Sequence, residues 1–190
     1  PLHGIISSLE LLDTETTKAR SIELRQIARD CAGSALEQIE EVLELALFDV
    51  ADVPDVLLTF FPLEVARLIL EQSQSLADAN NTSLTLACDP LVSEPMLGNR
   101  RAFRSALSNL VGNAIKFTKN CTITVQLFPT PGIAGSMRIE VCDSGIGIQP
   151  EHLDGIFDDF ETVFVPGVSA KQSGASGLGL GIVRRAVASM

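Results

Sequence analysis

The sequence predicts an α+β protein: a two-helix hairpin over residues 1–48, then an α/β sandwich over 57–190 whose mixed, mostly antiparallel sheet packs on helices. Three observations lead there. Apolar residues recur at three- and four-residue intervals through the first 48 residues. Residues 49–56, Asp-Val-Ala-Asp-Val-Pro-Asp-Val, are acidic and broken by proline, as an interdomain linker is. Beyond them, short alternating segments are interleaved with helical ones.

In the hairpin, Leu2, Ile5, Ile6, Leu9 and Leu12 form one stripe. Ile22, Ile27, Cys31, Ala35, Ile39, Val42, Leu43 and Ala46 form a longer one. The turn falls around Asp13–Ala19, where Thr and Asp can cap. A thin hairpin cannot bury both stripes alone, whereas two copies would form a four-helix bundle, so residues 1–48 are expected to make a homodimer.

After the linker, Leu57–Phe61 reads as a short strand. Leu63–Ala79 reads as a helix with Val65, Leu68, Ile69 and Leu76 inward. Asn80-Asn81 turns the chain, Leu84–Cys88 is a strand and Pro90–Pro95 a loop. Residues 98–118 form a central helix, with Leu107, Leu110, Val111, Ala114 and Ile115 at helical spacing. Thr122–Phe128 and Met137–Val141 alternate as hairpin strands joined by Pro129–Gly135. Residues 158–176 form a long loop. The chain then enters a helix with Ile182, Val183, Ala186 and Val187 on its apolar side.

Composition narrows the possible functions. At 190 residues the chain suits one large or two small domains. A net charge of −10 argues against nucleic acid as a partner. No apolar run is long enough to span a membrane, and no leader pattern is visible. The four cysteines lack metal-ligand spacing. Cys31, Cys88 and Cys142 sit in apolar patterns, as reduced core residues of a cytoplasmic protein would.

Three stretches carry chemistry. In Asn109–Lys119, Asn109, Asn113 and Lys116 share one side of the helix. An Asn carbonyl is a hard oxygen ligand suited to Mg²⁺, and a lysine can pair with phosphate; the same spacing also suits a solvated face. In Val141–Ile148, a strand runs into Asp143, and Gly145 and Gly147 permit a tight turn. A carboxylate there can accept a hydrogen bond from the amine of adenine, or simply cap the turn. In Gly174–Gly181, a glycine-rich loop enters a helix N-terminus and presents N–H groups to phosphate.

The order and spacing of these stretches resemble the N, G1 and G2 boxes of the ATP-binding domain of two-component sensor histidine kinases, simple or hybrid, within the GHKL ATPase superfamily. Ile156–Phe160 resembles that family's F box, and Leu97-Gly98-Asn99 through Arg104 its lead-in to the N box. The family often has Asp and Gln where this chain has Asn99 and Ser105. The resemblance implies a Bergerat-type fold whose last two strands are not found before Met190, leaving a sheet edge open. It implies ATP and Mg²⁺ as cofactors, Asn113 and Lys116 as catalytic groups, and Asn113 as the metal ligand with Asn109 in support. Asp143 would read adenine, with Gly145 and Gly147 giving it room. Phe157, Phe160, Gly174, Gly177, Leu178, Gly179 and Gly181 would complete the nucleotide site, and 158–176 would be the ATP lid.

The implied reaction passes the γ-phosphate of ATP to a histidine, then to an aspartate on a response-regulator receiver domain, with catalysis by positioning and charge neutralisation. Pro1-Leu2-His3-Gly4 resembles the segment just after the phosphoacceptor motif, which places the acceptor five residues before Pro1. His3 falls at a variable position and His152 reads as a surface residue, so this stretch alone is not expected to autophosphorylate. Two other functions compete. ATP hydrolases of the superfamily carry a Glu base where this chain has Asn109, and a carboxamide is no base near neutral pH. A non-catalytic phosphotransfer or scaffold protein would not need Asn113, Asp143 and the glycines together.

Overall fold

The computed structural model describes residues 1–15, 17–49, 57–133, 135–159 and 176–190. Residues 50–56 of the expected linker and 160–175 of the expected lid, including Phe160 and Gly174, lie outside the described residues. The chain divides into two compact units, Pro1–Ala46 and Leu47–Met190.

The first unit is built from α1 (Leu2–Thr14) and most of α2 (Lys18–Asp49). The helices meet closely where Gly4 faces Cys31: a Cβ on Gly4 would sit 2.5 Å from the Cys31 Sγ. Ser8 and Leu24 are buried. Leu24 lies off the expected stripe, whereas Cys31, a member of it, stands at the helix–helix contact. Leu2, Ile6, Leu9, Ile22, Ile27, Ile39, Val42 and Leu43 all stay exposed.

In the second unit, β1 (Leu58–Phe60) pairs antiparallel with β3 (Met96–Gly98). A separate three-stranded sheet has the order β2 (Ser83–Cys88), β4 (Thr122–Pro129), β5 (Met137–Cys142). β2 runs parallel to β4 and β4 antiparallel to β5, so the sheet is mixed, and among the described residues β5 is an edge. Pro90–Pro95 is not all loop: Pro90–Val92 forms a 3₁₀ turn, with the Asp89 carboxylate accepting from the Leu91 N–H at 2.8 Å. The β3 segment beside it was missed because three residues show no periodicity.

α3 (Pro62–Ala79) and α4 (Arg100–Phe117) cover this sheet. The core joins Val65, Ile69 and Leu70 of α3 to Phe103, Leu107, Val111 and Ile115 of α4 and to Ile123, Val125 and Leu127 of β4. Leu68 and Leu76, expected inward, point outward; Ala66, Leu70 and Ala77 take the buried face instead. Small residues fit where a helix lies tight on a sheet, so side-chain size was the wrong guide. α5 (Gly179–Ala188) packs on the other side of α4, where Ala102, Ala106 and Ala186 let the axes approach. α4 is thus central, and Asn99 starts it: its Oδ1 accepts from the Ala102 N–H at 3.0 Å.

The turn at Asn80-Asn81 forms as expected, Asn81 taking φ +51° in the left-handed region that asparagine tolerates. Cys142 is a correction. It is exposed, and no described cysteine is fully buried, because Cys142 ends an edge strand where the chain turns away. Among the described residues no helix is long and apolar enough to cross a membrane.

Candidate functional site

α4 places Asn109, Asn113 and Lys116 along one half-buried strip. The Asn109 Nδ2 donates to the Ser105 carbonyl one turn back at 3.0 Å, which fixes the carboxamide. The Lys116 ammonium lies 5.8 Å from the Phe117 ring centroid. α4 ends at Thr118, which is fully buried.

β5 delivers Asp143 beside that end. Its Oδ1 accepts from the Gly145 N–H at 2.8 Å and from the Thr118 hydroxyl at 3.3 Å. Gly145 is a close approach: a Cβ would collide with the Phe117 carbonyl oxygen and come within 2.9 Å of both Asp143 Oδ1 and Thr118 Oγ1. Gly147 differs, having open space around it but φ +67°, which only glycine adopts freely. Gly177, the loop glycine just before α5, also has a positive φ, +75°.

The Ser176 Oγ accepts from the N–H of Leu178, itself buried. Gly179 opens α5 directly against α4: its Cβ would stand 3.0 Å from Asn109 Oδ1 and 3.6 Å from Asn113 Nδ2. The first N–H groups of α5 have no partner within the helix and form its positive end. The structure therefore brings Asn109 and Asn113 to Gly179, and Asp143 and Gly145 to the end of α4.

Other expected residues stand elsewhere. Gly181 is buried inside α5, where a Cβ would run into the Asp159 carboxylate. Phe157 is partly exposed; His152 lies exposed in a 3₁₀ turn, Pro150–His152, and His3 exposed on α1. Thr118, Ser176, Asp158, Asp159, Arg184 and Arg185 make contacts that spacing along the chain does not reveal. Arg185 grips Asp159 through two bonds of 2.7 Å, and Arg184 reaches Asp158 at 2.7 Å. The hydrogen bond from Arg185 is the main reason the Asp159 carboxyl is held below the usual carboxylate range. A dipeptide of acids before a loop and a dipeptide of arginines on the next helix was the available signal.

Among the described residues, no group of three His, Cys, Asp or Glu side chains could hold a metal. Mg²⁺ does not need such a group. It keeps several waters and takes one or two protein oxygens with substrate phosphates, and the half-buried Asn113 carboxamide beside Gly179 suits that donor set. A groove of 470 Å³ between α3 and β2, lined by Leu63, Arg67, Glu71 and Leu84, is separate from this cluster.

Residues 98–190 match the family model described as histidine kinase-, DNA gyrase B-, and HSP90-like ATPase. Sensor histidine kinase AruS of Pseudomonas aeruginosa is 33% identical over 98% of this chain and 19% of its own length. Virulence sensor protein BvgS of Bordetella pertussis is 34% identical over 96% of this chain and 15% of its own. The crystal structure of full-length ShkA in complex with AMPPNP superposes with a TM-score of 0.71 at 25% identity, over 100% of this chain and 38% of that one. The chain thus spans less than a fifth of the length of these two curated relatives.

Proposed function

We propose that this chain, whose residues 98–190 match the histidine kinase-, DNA gyrase B- and HSP90-like ATPase family model, includes the ATPase domain of a sensor histidine kinase and binds ATP with Mg²⁺ for phosphoryl transfer to a histidine. The observation that carries the proposal is the contact of Gly179 with Asn109 and Asn113. It sets the positive end of α5 against two carboxamides, and an anionic ligand with a divalent ion satisfies both. ShkA, crystallised with AMPPNP, supports the same ligand class.

In this reading Asp143 accepts from the adenine amine, held in place by Thr118 and Gly145. Asn113, supported by Asn109, offers oxygen to Mg²⁺, which when bound neutralises charge on the phosphates. Lys116 and the N–H groups of Gly177 and Gly179 face the same phosphates. The Asn109 carboxamide, turned to the Ser105 carbonyl, has no basicity with which to activate water, so transfer to a side chain is favoured over hydrolysis. The exposed stripes of α1 and α2 favour a homodimer through residues 1–48, with a receiver-domain aspartate as the next acceptor. His3 and His152 are not the phosphoacceptor.

Titration calorimetry with ADP and Mg²⁺ tests the core of this. Saturable binding that is lost on chelating the metal is expected; a folded chain that ignores millimolar nucleotide overturns the proposal. Incubation with γ-labelled ATP should leave residues 1–190 without acid-labile, base-stable label, and a chain extended upstream should take label on the extension. Label on His3 would show the acceptor assignment to be wrong.

A further inference from the structure

The Asp159–Arg185 pair has no part in the site as described, yet among the described residues of the second unit it is the ion pair with a two-bond, fork-to-fork geometry. Both guanidinium nitrogens meet both carboxylate oxygens at 2.7 Å, the fork-to-fork arrangement that fixes direction as well as distance. The two side chains are only 25% and 28% exposed. Arg185 Nη1 also lies 3.5 Å from the carbonyl oxygen of Gly181, one turn back on α5. At Gly181 a side chain is excluded because the Asp159 carboxylate occupies its place. The carboxylate therefore rests directly on the backbone of the first turn of α5. That same turn begins at Gly179, whose missing Cβ leaves room for the Asn109 carboxamide.

One turn of helix is thus held between two loads: Asn109 and Asn113 on one side, the Asp159–Arg185 fork on the other. The more exposed Asp158–Arg184 pair adds little, being screened by solvent. We infer that Asp159 and Arg185 are positioning residues for the phosphate-facing turn of α5. They seat the entry to α5 so that the Gly177 and Gly179 N–H groups are aimed at a ligand phosphate, without contacting the ligand themselves. Gly181 is then required for the seating of the fork, and its contribution to phosphate binding is indirect. The inference rests on the nucleotide reading above and assigns a division of labour within it: Asp143 governs the nucleoside, the fork governs the phosphates.

The test compares ADP with adenosine, using Asp159→Asn, Gly181→Ala and the charge reversal Asp159→Arg/Arg185→Asp, with affinities from calorimetry for ADP·Mg²⁺ and from NMR titration for adenosine. Loss of a charge-assisted bond predicts about a tenfold loss of ADP affinity in Asp159→Asn and Gly181→Ala. Adenosine affinity should stay within about twofold, and the charge reversal should recover most of the ADP affinity. Unchanged ADP affinity in both single variants overturns the inference. So does an equal loss for ADP and adenosine, which would mean the fork merely supports the fold. If Asp159→Asn fails to fold, Gly181→Ala and the reversal carry the comparison. Failure of the unsubstituted chain to bind ADP would instead overturn the nucleotide reading itself.

Discussion

Thr118 and Asp143 lie 25 residues apart in the chain and are joined by a hydrogen bond of 3.3 Å, the Thr118 hydroxyl donating to Asp143 Oδ1. The bond ties the C-terminal end of α4 to the turn after β5, and Gly145 completes it from the other side at 2.8 Å. Asp143→Ala should weaken ADP binding roughly ten- to a hundred-fold, since a hydrogen bond to a charged group is worth about 1.5–3 kcal/mol. Thr118→Val keeps the shape of a buried residue and removes one bond to the carboxylate, so a smaller loss, about three- to tenfold, is expected. Calorimetry on both variants checks this; equal affinities in Thr118→Val and the parent would show that the hydroxyl does not orient Asp143.

Gly145 and Gly147 should respond to substitution for different reasons. At Gly147 there is space for a Cβ, but φ is +67°. Alanine there should cost about 1–2 kcal/mol from backbone strain, and asparagine distinctly less. At Gly145 the obstacle is the Phe117 carbonyl, so alanine and asparagine should both be harmful. Thermal melts of the four variants separate strain from collision.

The Asp159–Arg185 pair predicts a pH dependence. Its carboxyl is held low in the folded state, chiefly by the hydrogen bond from Arg185. The folded protein therefore binds that proton less readily than the unfolded chain does. The stabilisation is complete above the ordinary aspartate pKa of about 3.9 and is lost as pH falls through the lowered folded value. Acid unfolding of Asp159→Asn should lack this component, so parent and variant should converge in stability at low pH. Stability curves that stay parallel down to acid pH would contradict the assignment.

The exposed stripes of the first unit predict self-association. Light scattering should give twice the chain mass of 20.3 kDa. Glutamate at Ile27 or Ile39, both exposed in one copy, should drive the protein to monomer, because burying an unpaired charge in a bundle costs several kcal/mol. A variant that remains dimeric would move the contact to another surface.

The amino-acid sequence by itself determined the elements: α3, β2, α4, β4, β5 and α5 all lie within one or two residues of where periodicity places them. Periodicity is a local property, set by 3.6 residues per turn or two per pleat, and so it survives in one dimension. It also determined that Asn109, Asn113 and Lys116 share a face and that Asp143 opens a glycine turn, since both follow from spacing alone. What it could not determine is which face a helix buries when small residues compete with large ones, as Ala66 and Ala77 do against Leu68 and Leu76. Nor could it pair distant groups. Thr118 with Asp143, Gly179 with Asn109, and Asp159 with Arg185 each join elements remote in the chain. Those contacts are decided by how α4 lies between the sheet and α5, where close packing leaves one arrangement that fills the space, and no local signal records it.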